Sequence, residues 1–508
     1  MEHGPDASRS LWRIAPLALL LALSLPDLLS PPISPTILRQ TQTYAQTAHF
    51  VEHRFALAGL TMDIDGPRPF PVAYEFPVYQ FVVGLLFLVG KASFFWGKLV
   101  SLGAASVFLW IFARLSAQHY GDVTSRWAAC FLASSPMTLL LSAAFQPDAL
   151  ALALTSLALA AVLRWRDRST HWSWLAVSLL LLAALLAKFT VVVPFVPLLA
   201  AAVLRRGGDW RRPTAFEVFA IVAIVLVPFV AWNLYRTTMM DAGSRAGEAQ
   251  MFLVGDLSRF FHAGFYVKPA FIVGAMVACG SGVVLAVVGL RGLDAAGALL
   301  VAGVPLYYAL IPTAAEQTYY AFPLVPAFAM LMGRGAQRLE DRWPGRRRFS
   351  RAAIVVAWLA GFAVAAPYTL RHDTVTLAAA RAVHDVSGAA DLLFVLNMHD
   401  RGVGIGGYNS SIVTLAGRRG WNVRFDSADA DLLRLQVEDR RREGLRWIVV
   451  TWFTPDLDPW FAPLLGQTFS RSPRLNGTVV DGQGIARQLS EHYPVASRGA
   501  NFAILRVE

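Results

Sequence analysis

Residues 172–204 read WSWLAVSLLLLAALLAKFTVVVPFVPLLAAAVL, and Lys188 is the only charged side chain in this stretch. About 20 consecutive apolar residues are enough to cross the hydrocarbon core of a bilayer. Further apolar runs occur elsewhere, for example at residues 215–235 and 270–290. A soluble protein could not bury so many runs of this length, so the sequence predicts an α-helical, multi-pass membrane protein.

The composition of the whole chain supports this prediction. Of the 508 residues, 56% are hydrophobic and only 16% are charged, below the roughly 25% that is usual for soluble domains. The net charge of +11 comes from basic side chains clustered between the apolar runs, where topology signals lie. We therefore expect no nucleic-acid partner. Cys130 and Cys279 lie inside apolar runs and indicate neither a disulfide framework nor a metal cluster.

Basic clusters in short loops face the cytoplasm, and this rule decides the topology. We predict about eleven transmembrane helices, the first retained at residues 14–25 with a cytoplasmic N-terminus. The short apolar stretch at residues 76–91 is predicted to lie in the membrane interface as a juxtamembrane helix. If this helix does not count as a span, the densest basic cluster, residues 334–351, lies on the cytoplasmic side.

The predicted domain boundary follows residue 367. Residues 1–367 form the transmembrane module, whose first outer loop spans 26–98. Residues 368–508 are predicted to be an extracytoplasmic α/β domain, because helix-like and strand-like segments alternate there. The predicted strands are residues 392–396, 446–451 and 502–507, and the predicted helices are residues 375–384 and 430–443.

Two acidic residues on the outer side are candidate catalytic groups. Glu75 precedes Pro77 where the chain enters the interfacial helix, and Asp148 lies between two apolar runs. A carboxylate this close to hydrocarbon is costly, which favours a functional role. Capping of the following helix is the alternative for both residues, and it is compatible with function.

Basic and aromatic residues on the same side are candidate ligands for an anionic headgroup. Lys188 interrupts the apolar stretch quoted above, where we expect a short outer loop between two spans, and it could bind a phosphate or extend to the interface. Glu316 lies just before Tyr319 and Tyr320. A separate outer loop contributes Arg259, His262 and Lys268, for which interface anchoring is the alternative.

His49, Glu52 and His53 form an HxxEH sequence, which on a helix can bind zinc through the two histidines. A membrane metalloprotease is therefore one alternative function. The motif is short and lacks a clear third ligand, so the surface of a juxtamembrane helix is the favoured interpretation.

Five segments in order resemble the membrane-embedded GT-C glycosyltransferases, in particular the bacterial branch related to protein O-mannosyltransferases and the lipid A aminoarabinose transferase (glycosyltransferase family 39-like). The resemblance covers roughly residues 10–370. The matching segments are RQTQTYAQTA (39–48), EFPVYQ (75–80), FQPDAL (145–150), LLAKFTVVVPF (185–195) and EQTYYAFPLVPAFAML (316–331).

The resemblance implies a glycosyltransferase of the bacterial plasma membrane that uses a polyprenyl-phosphate sugar. The sugar passes to a glycan, lipid or protein acceptor on the outer face, by inverting displacement. One of Glu75 and Asp148 would act as base and the other as an orienting or metal-binding partner, and Lys188 would bind phosphate. The remaining substrate-binding candidates are Arg39, Gln42, Arg259, Lys268, Glu316, Tyr319 and Tyr320.

The first loop lacks the acidic pair that many relatives have after the first helix, so Asp63 and Asp65 stay open as alternative bases. Likewise, Arg39 or Arg259 could take over phosphate binding. The resemblance leaves metal dependence open, and a divalent ion near Glu75, Asp148 or His262 is possible.

A transporter, flippase or polymerase of envelope lipids is the competing class. Transporters usually contain internal repeats and place functional charges at the middle of the membrane. This sequence shows no repeat, and its candidate acids lie at one surface, so the glycosyltransferase is favoured.

Overall fold

The structure is a computed structural model of the chain. The structure describes residues 7–32, 36–72, 74–168, 173–204, 215–239, 260–261, 264–315, 318–370, 372–397, 409–423, 430–452, 474–475, 478–479 and 482–507. The chain divides into two compact units. The helical unit comprises residues 1–30 and 73–371, and the α/β unit comprises residues 31–72 and 372–508.

The α-helices of the described residues are, in chain order, α1 Ala7–Ser24, α2 Ile37–Glu52, α3 Val78–Val89, α4 Phe94–Tyr120, α5 Asp122–Ser134, α6 Pro136–Ser142, α7 Asp148–Arg168, α8 Ser173–Val192, α9 Val196–Leu204, α10 Ala215–Met239, α11 Gly264–Ile272, α12 Ser281–Leu290, α13 Ala295–Leu310, α14 Val325–Arg342, α15 Arg347–Thr369, α16 Thr374–Val386, α17 Ser411–Ala416, α18 Ala430–Arg441 and α19 Gly482–Ser490. The strands are β1 Thr61–Gly66, β2 Arg68–Pro71, β3 Leu392–Asn397, β4 Arg419–Asn422, β5 Leu445–Thr451, β6 Arg474–Leu475, β7 Thr478–Val479, β8 Val495–Arg498 and β9 Phe502–Arg506.

The helical unit is a polytopic membrane structure, as predicted. Among the described residues, five helices are long and apolar enough to cross a membrane, or six if the bent pair α11 and α12 counts as one span. The total of about eleven spans stays a prediction. Residues 78–89 form a short apolar helix, α3, in the stretch where we predicted a juxtamembrane helix.

The quoted apolar stretch differs in one respect from the prediction. In place of a loop, a kink of one residue interrupts α8: two helical segments meet at Lys188, whose backbone is extended (φ −170°, ψ 96°). Because the break is one residue long, the lysine side chain stays within the packed helices. It is buried there, with 3% of its surface exposed.

A second buried lysine fixes the segment of chain that follows the C-terminal end of α1. Lys98 in α4 is fully buried, and its ammonium donates hydrogen bonds of 2.7 Å to the carbonyl oxygens of Asp27 and Ser30. A buried ammonium needs such acceptors, because an unpaired charge in an apolar interior is very costly. Lys98 therefore holds the chain where the first helix ends.

The α/β unit is built on a seven-stranded sheet with the order β2-β1-β4-β3-β5-β9-β8. Its centre, β4-β3-β5, is parallel, and the remaining pairs are antiparallel. Strands β3 and β5 are mostly buried and apolar on both faces, as expected for strands covered by helices. The predicted strands and helices of the C-terminal region correspond to β3, β5, β9, α16 and α18, which confirms the predicted α/β domain.

Part of the predicted first outer loop contributes to this sheet. Residues 31–72, which the predicted boundary assigns to the transmembrane module, form one compact unit with residues 372–508. The physical reason is strand pairing, because β1 pairs with β4 through Asp65 opposite Trp421 and Gly66 opposite Gly420. The α/β unit is therefore assembled from two segments that are distant in sequence.

Candidate active site

A buried ion pair joins two of the predicted site residues. The ammonium of Lys188 lies 2.8 Å from Oδ2 of Asp148. Asp148 begins α7 and is only 1% exposed, so both charges are withdrawn from water. Pairing at this distance offsets the cost of burying the two charges. The predicted acid and the predicted phosphate ligand are thus direct partners.

Two aromatic rings lie against the same ammonium. The rings of Tyr319 and Tyr320, in the 3₁₀ segment Thr318–Leu324, stack with centroids 4.7 Å apart. The nitrogen of Lys188 lies 5.2 Å from the first centroid and 5.5 Å from the second. Ring faces attract cations. Tyr307 in α13 supports this segment by donating a 2.9 Å hydrogen bond to the carbonyl of Tyr320.

The turn before Asp148 is held by close packing. The ring of Phe145 lies directly over Gly97 of α4, where a Cβ would approach the ring to 2.2 Å. Tyr79 of α3 meets Phe145 edge to face and donates a 2.7 Å hydrogen bond to the carbonyl of Gly97. Ser101 bonds Tyr79 and also donates to the carbonyl of Gln146. These contacts connect the helix that follows Glu75 to the turn that carries Asp148.

Glu75 lies at the entrance to α3, beside α10. The side chain of the next residue, Phe76, meets the ring of Trp232 edge to face at 5.1 Å. The carbonyl of the preceding residue, Tyr74, accepts a 2.8 Å hydrogen bond from Arg236. Glu75 itself is partly exposed. Its position is therefore fixed from both sides by one face of α10.

The other predicted site residues divide into two groups. Arg39 and Gln42 belong to the α/β unit, where they bond to each other across one turn of α2, with Nη1 3.3 Å from Oε1. The remaining predictions lie outside the described residues, which applies to Arg259, His262 and Glu316 and to the side chain of Lys268. The structure therefore brings together Asp148, Lys188, Tyr319 and Tyr320, and it places Glu75 just before α3, a helix that is joined to the turn carrying Asp148.

The two histidines of the HxxEH sequence have different partners. The imidazole of His49 bonds Glu52 at 3.2 Å and Asp63 at 2.9 Å, whereas His53 bonds the carbonyl of His49. Among the described residues, no group of three histidine, cysteine or acidic side chains could hold a metal ion.

The environment of His49 favours its charged form. Burial alone would lower its pKa, but the hydrogen bond to Asp63 and the charges of Asp63 and Glu52 outweigh burial, so the pKa is raised above its ordinary value. Arg419 of β4 reaches the other oxygen of Asp63 at 3.2 Å. His49, Asp63 and Arg419 therefore link α2, β1 and β4, and we assign them a structural role.

Sequence reasoning missed Arg236. It lies near the end of a long apolar run, where an arginine is ordinarily an interface anchor. The usable signal is its spacing, because Arg236 follows Trp232 by four residues and so shares its helix face. The exposed fraction of Arg236 is 7%, which places the guanidinium inside the protein.

The arrangement combines a partly exposed carboxylate with a buried cation. Lys188 has three N–H donors, and Asp148 uses one of them. The ammonium can therefore also bind an anionic oxygen while Asp148 fixes its position. A carboxylate such as Glu75 can accept a proton from a hydroxyl group. This pairing suits a displacement that releases an anionic leaving group.

Comparison with known proteins identifies a family match for part of the chain. Residues 69–232 match the family model of dolichyl-phosphate-mannose-protein mannosyltransferase. This segment includes Glu75, Asp148 and Lys188. No curated protein sequence matches the chain.

Several solved structures resemble most or all of the chain. ArnT from Cupriavidus metallidurans, bound to undecaprenyl phosphate, has a TM-score of 0.60 at 13% identity, covering 98% of this chain and 97% of that chain. The Archaeoglobus fulgidus oligosaccharyltransferase, in complex with Zn and sulfate, has a TM-score of 0.53 at 11% identity, covering 87% and 68%. The mycobacterial arabinofuranosyltransferase AftD has a TM-score of 0.52 at 16% identity, covering all of this chain and 40% of that chain. At these identities the likeness shows the fold.

Proposed function

We propose that this chain, which has the GT-C glycosyltransferase fold predicted from its sequence, transfers a sugar from a polyprenyl-phosphate donor to an acceptor at the outer face of the membrane. Solved structures with the same fold support the reaction class. The structure of ArnT with undecaprenyl phosphate supports a lipid-phosphate donor for this fold. We also propose that the chain resides in the bacterial plasma membrane and that its α/β domain lies on the extracytoplasmic side.

The observation that carries the proposal is the buried Asp148–Lys188 pair against Tyr319 and Tyr320. A lysine buried within a membrane unit is costly to maintain, and such residues are retained for function. An ammonium fixed by a carboxylate and two aromatic faces is preorganised to stabilise an oxyanion, because it need not reorganise during the reaction. The departing phosphate is such an oxyanion.

The two acids take different roles in this proposal. Asp148 is engaged with Lys188 and orients it. Glu75 is the better base, because it is partly exposed and can meet a hydroxyl acceptor. The acceptor oxygen forms a bond to the anomeric carbon, and its proton passes to Glu75. The bond from that carbon to the phosphate oxygen breaks, and polyprenyl phosphate leaves with the electron pair, so the configuration inverts.

A transfer assay with matched variants tests the proposal. The purified chain in liposomes is supplied with a panel of radiolabelled polyprenyl-phosphate sugars and with bacterial envelope fractions as acceptors. We expect labelled product with the wild type and a loss of at least about 100-fold in Glu75→Gln, Asp148→Asn and Lys188→Met. The matched controls are Glu491→Gln, Asp341→Asn and Lys91→Met, which change exposed residues of the same types.

The outcomes separate the candidate functions. Label that crosses the bilayer while still attached to the polyprenyl phosphate would identify a flippase. Wild-type transfer that persists in all three site variants would refute the site. The anomeric configuration of the product, read by NMR, distinguishes inversion from retention.

A further inference from the structure

The face of α10 that points into the protein ends in an arginine. Its buried residues are Ile221, Val225, Trp232 and Arg236, spaced by four, seven and four residues. This spacing places them on one stripe of the helix. The opposite face carries exposed apolar residues such as Phe219 and Leu234, as expected for contact with lipid. Arg236 thus occupies a position where the pattern would otherwise place an apolar side chain.

The guanidinium of Arg236 is held by a neighbour on its own helix. Asn233 donates its amide N–H to the carbonyl of Phe229 at 2.7 Å, which turns its side-chain oxygen toward Arg236. That oxygen accepts from Nε of Arg236 at 3.0 Å. Because the guanidinium is planar, fixing Nε also fixes the directions of the remaining donors.

One of those donors reaches the backbone beside Glu75. Nη1 of Arg236 bonds the carbonyl of Tyr74 at 2.8 Å. The ring of Trp232, one turn earlier, packs against Phe76. The residues on both sides of Glu75 are therefore held by consecutive turns of α10. Charge-assisted hydrogen bonds of this kind are about twice as strong as neutral ones.

Interface anchoring does not account for this arrangement. An arginine that anchors a helix extends its charged group to water. The side chain of Arg236 is instead buried, and it bonds a backbone carbonyl far away in sequence. The contact spans 162 residues, so it fixes the α3 entrance against α10.

We propose that Arg236 is a positioning residue for Glu75. Held by Asn233, its guanidinium fixes the backbone at Tyr74 and thereby sets the place at which the Glu75 carboxylate meets the acceptor hydroxyl. This inference rests on the proposed function. Arg236 acts on the chemical step through Glu75, and it does not bind the donor.

Kinetics and hydrogen exchange test this role together. A displacement of about 1 Å in a reacting group can cost roughly 100-fold in rate. We expect Arg236→Gln to lower kcat about 10–100-fold and to leave the donor KM within about twofold. Arg236→Lys keeps the positive charge but lacks the planar guanidinium, so its kcat should lie between those of Arg236→Gln and the wild type. The matched control is Arg114→Gln, an exposed arginine near the end of α4.

Coupling to Glu75 is measured in a double-mutant cycle. Glu75→Asp already moves the carboxylate, so adding Arg236→Gln should lower kcat by less than about threefold more. Peptides covering residues 74–81 should exchange amide hydrogens faster in Arg236→Gln, with the rest of the helical unit unchanged.

Each alternative outcome is decisive. Losses that multiply in the double variant, or faster exchange throughout the helical unit, indicate general destabilisation and overturn the inference. Wild-type transfer with unchanged kcat in Arg236→Gln overturns this inference alone. A wild-type chain without transfer activity overturns the proposed function and this inference with it.

Discussion

Separating stability from activity at the Asp148–Lys188 pair gives the sharpest prediction. Asp148→Asn leaves the Lys188 ammonium buried without its counter-charge. Lys188→Met likewise leaves the Asp148 carboxylate buried without its counter-charge. Removing one partner of a buried pair costs about 3–5 kcal/mol. With an unfolding entropy of about 2.1 cal/mol/K per residue over the helical unit, this corresponds to a fall in Tm of roughly 4–7 °C.

The double variant distinguishes the two roles of the pair. Asp148→Asn combined with Lys188→Met removes both charges and leaves side chains of similar size. Replacing a whole buried pair is often neutral or stabilising, so we expect Tm to return to within about 2 °C of the wild type. We expect activity to stay lost, because Lys188, the proposed phosphate ligand, is still missing.

The assay combines thermal unfolding in detergent with sugar transfer for the wild type, both single variants and the double variant. In the double variant we expect a recovered Tm together with a transfer rate that stays at least about 100-fold below the wild type. Recovery of both Tm and transfer in the double variant would refute it, since the pair would then be structural only. Single variants with unchanged Tm would refute the burial argument.

Further predictions concern the aromatic contact, the charged chain of the α/β unit and the packing beneath the site. Tyr319→Leu removes a ring face from the lysine and should raise the donor KM about 5–30-fold, from about 1–2 kcal/mol of lost attraction, whereas Tyr319→Phe should stay within about threefold, as measured by initial rates. Because the pKa of His49 is raised in the folded protein, its ion pairs contribute fully below about pH 6.5 and are lost as the pH rises through the raised value. Thermal unfolding between pH 6 and 9 should show this decline, and His49→Gln should flatten it. Gly97→Ala places a methyl group against the ring of Phe145. It should lower the free energy of unfolding by about 1–3 kcal/mol and should also lower transfer activity. Gly103→Ala in the same helix meets nothing within 4 Å and should be stabilising by about 0.5–1 kcal/mol in the same unfolding measurement.

Local patterns predicted much of the architecture. The strands around residues 392–397 and 445–451 were predictable because continuous apolar runs of that length are typical of buried parallel strands. The polytopic helical unit followed from run length alone. The sequence marks Asp148 as a candidate site residue because an acid between two apolar runs is costly, and the structure shows that this acid is paired with Lys188.

Features that depend on long-range pairing were not predictable. Strand β1 joins the sheet through β4, more than 350 residues later in the chain, and a single sequence carries no signal for such pairing. The same holds for Arg236 and Lys98. Each lies near the end of an apolar helix, where the sequence pattern of an inward-facing cation matches that of an interface anchor.

The break in α8 illustrates the limit within a local pattern. The sequence marks Lys188 as an interruption, and an interruption between two apolar runs is typical of a loop. In the structure, two helical segments meet at Lys188 across a kink of one extended residue, and Asp148 and the two tyrosines stabilise the lysine inside the unit. The partners that decide the outcome are 40 and more residues away in sequence.

Measuring the release of polyprenyl phosphate is the strongest test of whether Lys188 stabilises a departing lipid phosphate. The purified wild-type chain, given a polyprenyl-phosphate sugar and its acceptor in liposomes, should release one polyprenyl phosphate for each sugar transferred. Lys188→Met should release almost none, while Lys91→Met should match the wild type. Equal release by Lys188→Met and the wild type, or transfer without release of the lipid phosphate, would contradict the proposed reaction and the role of Lys188 in it.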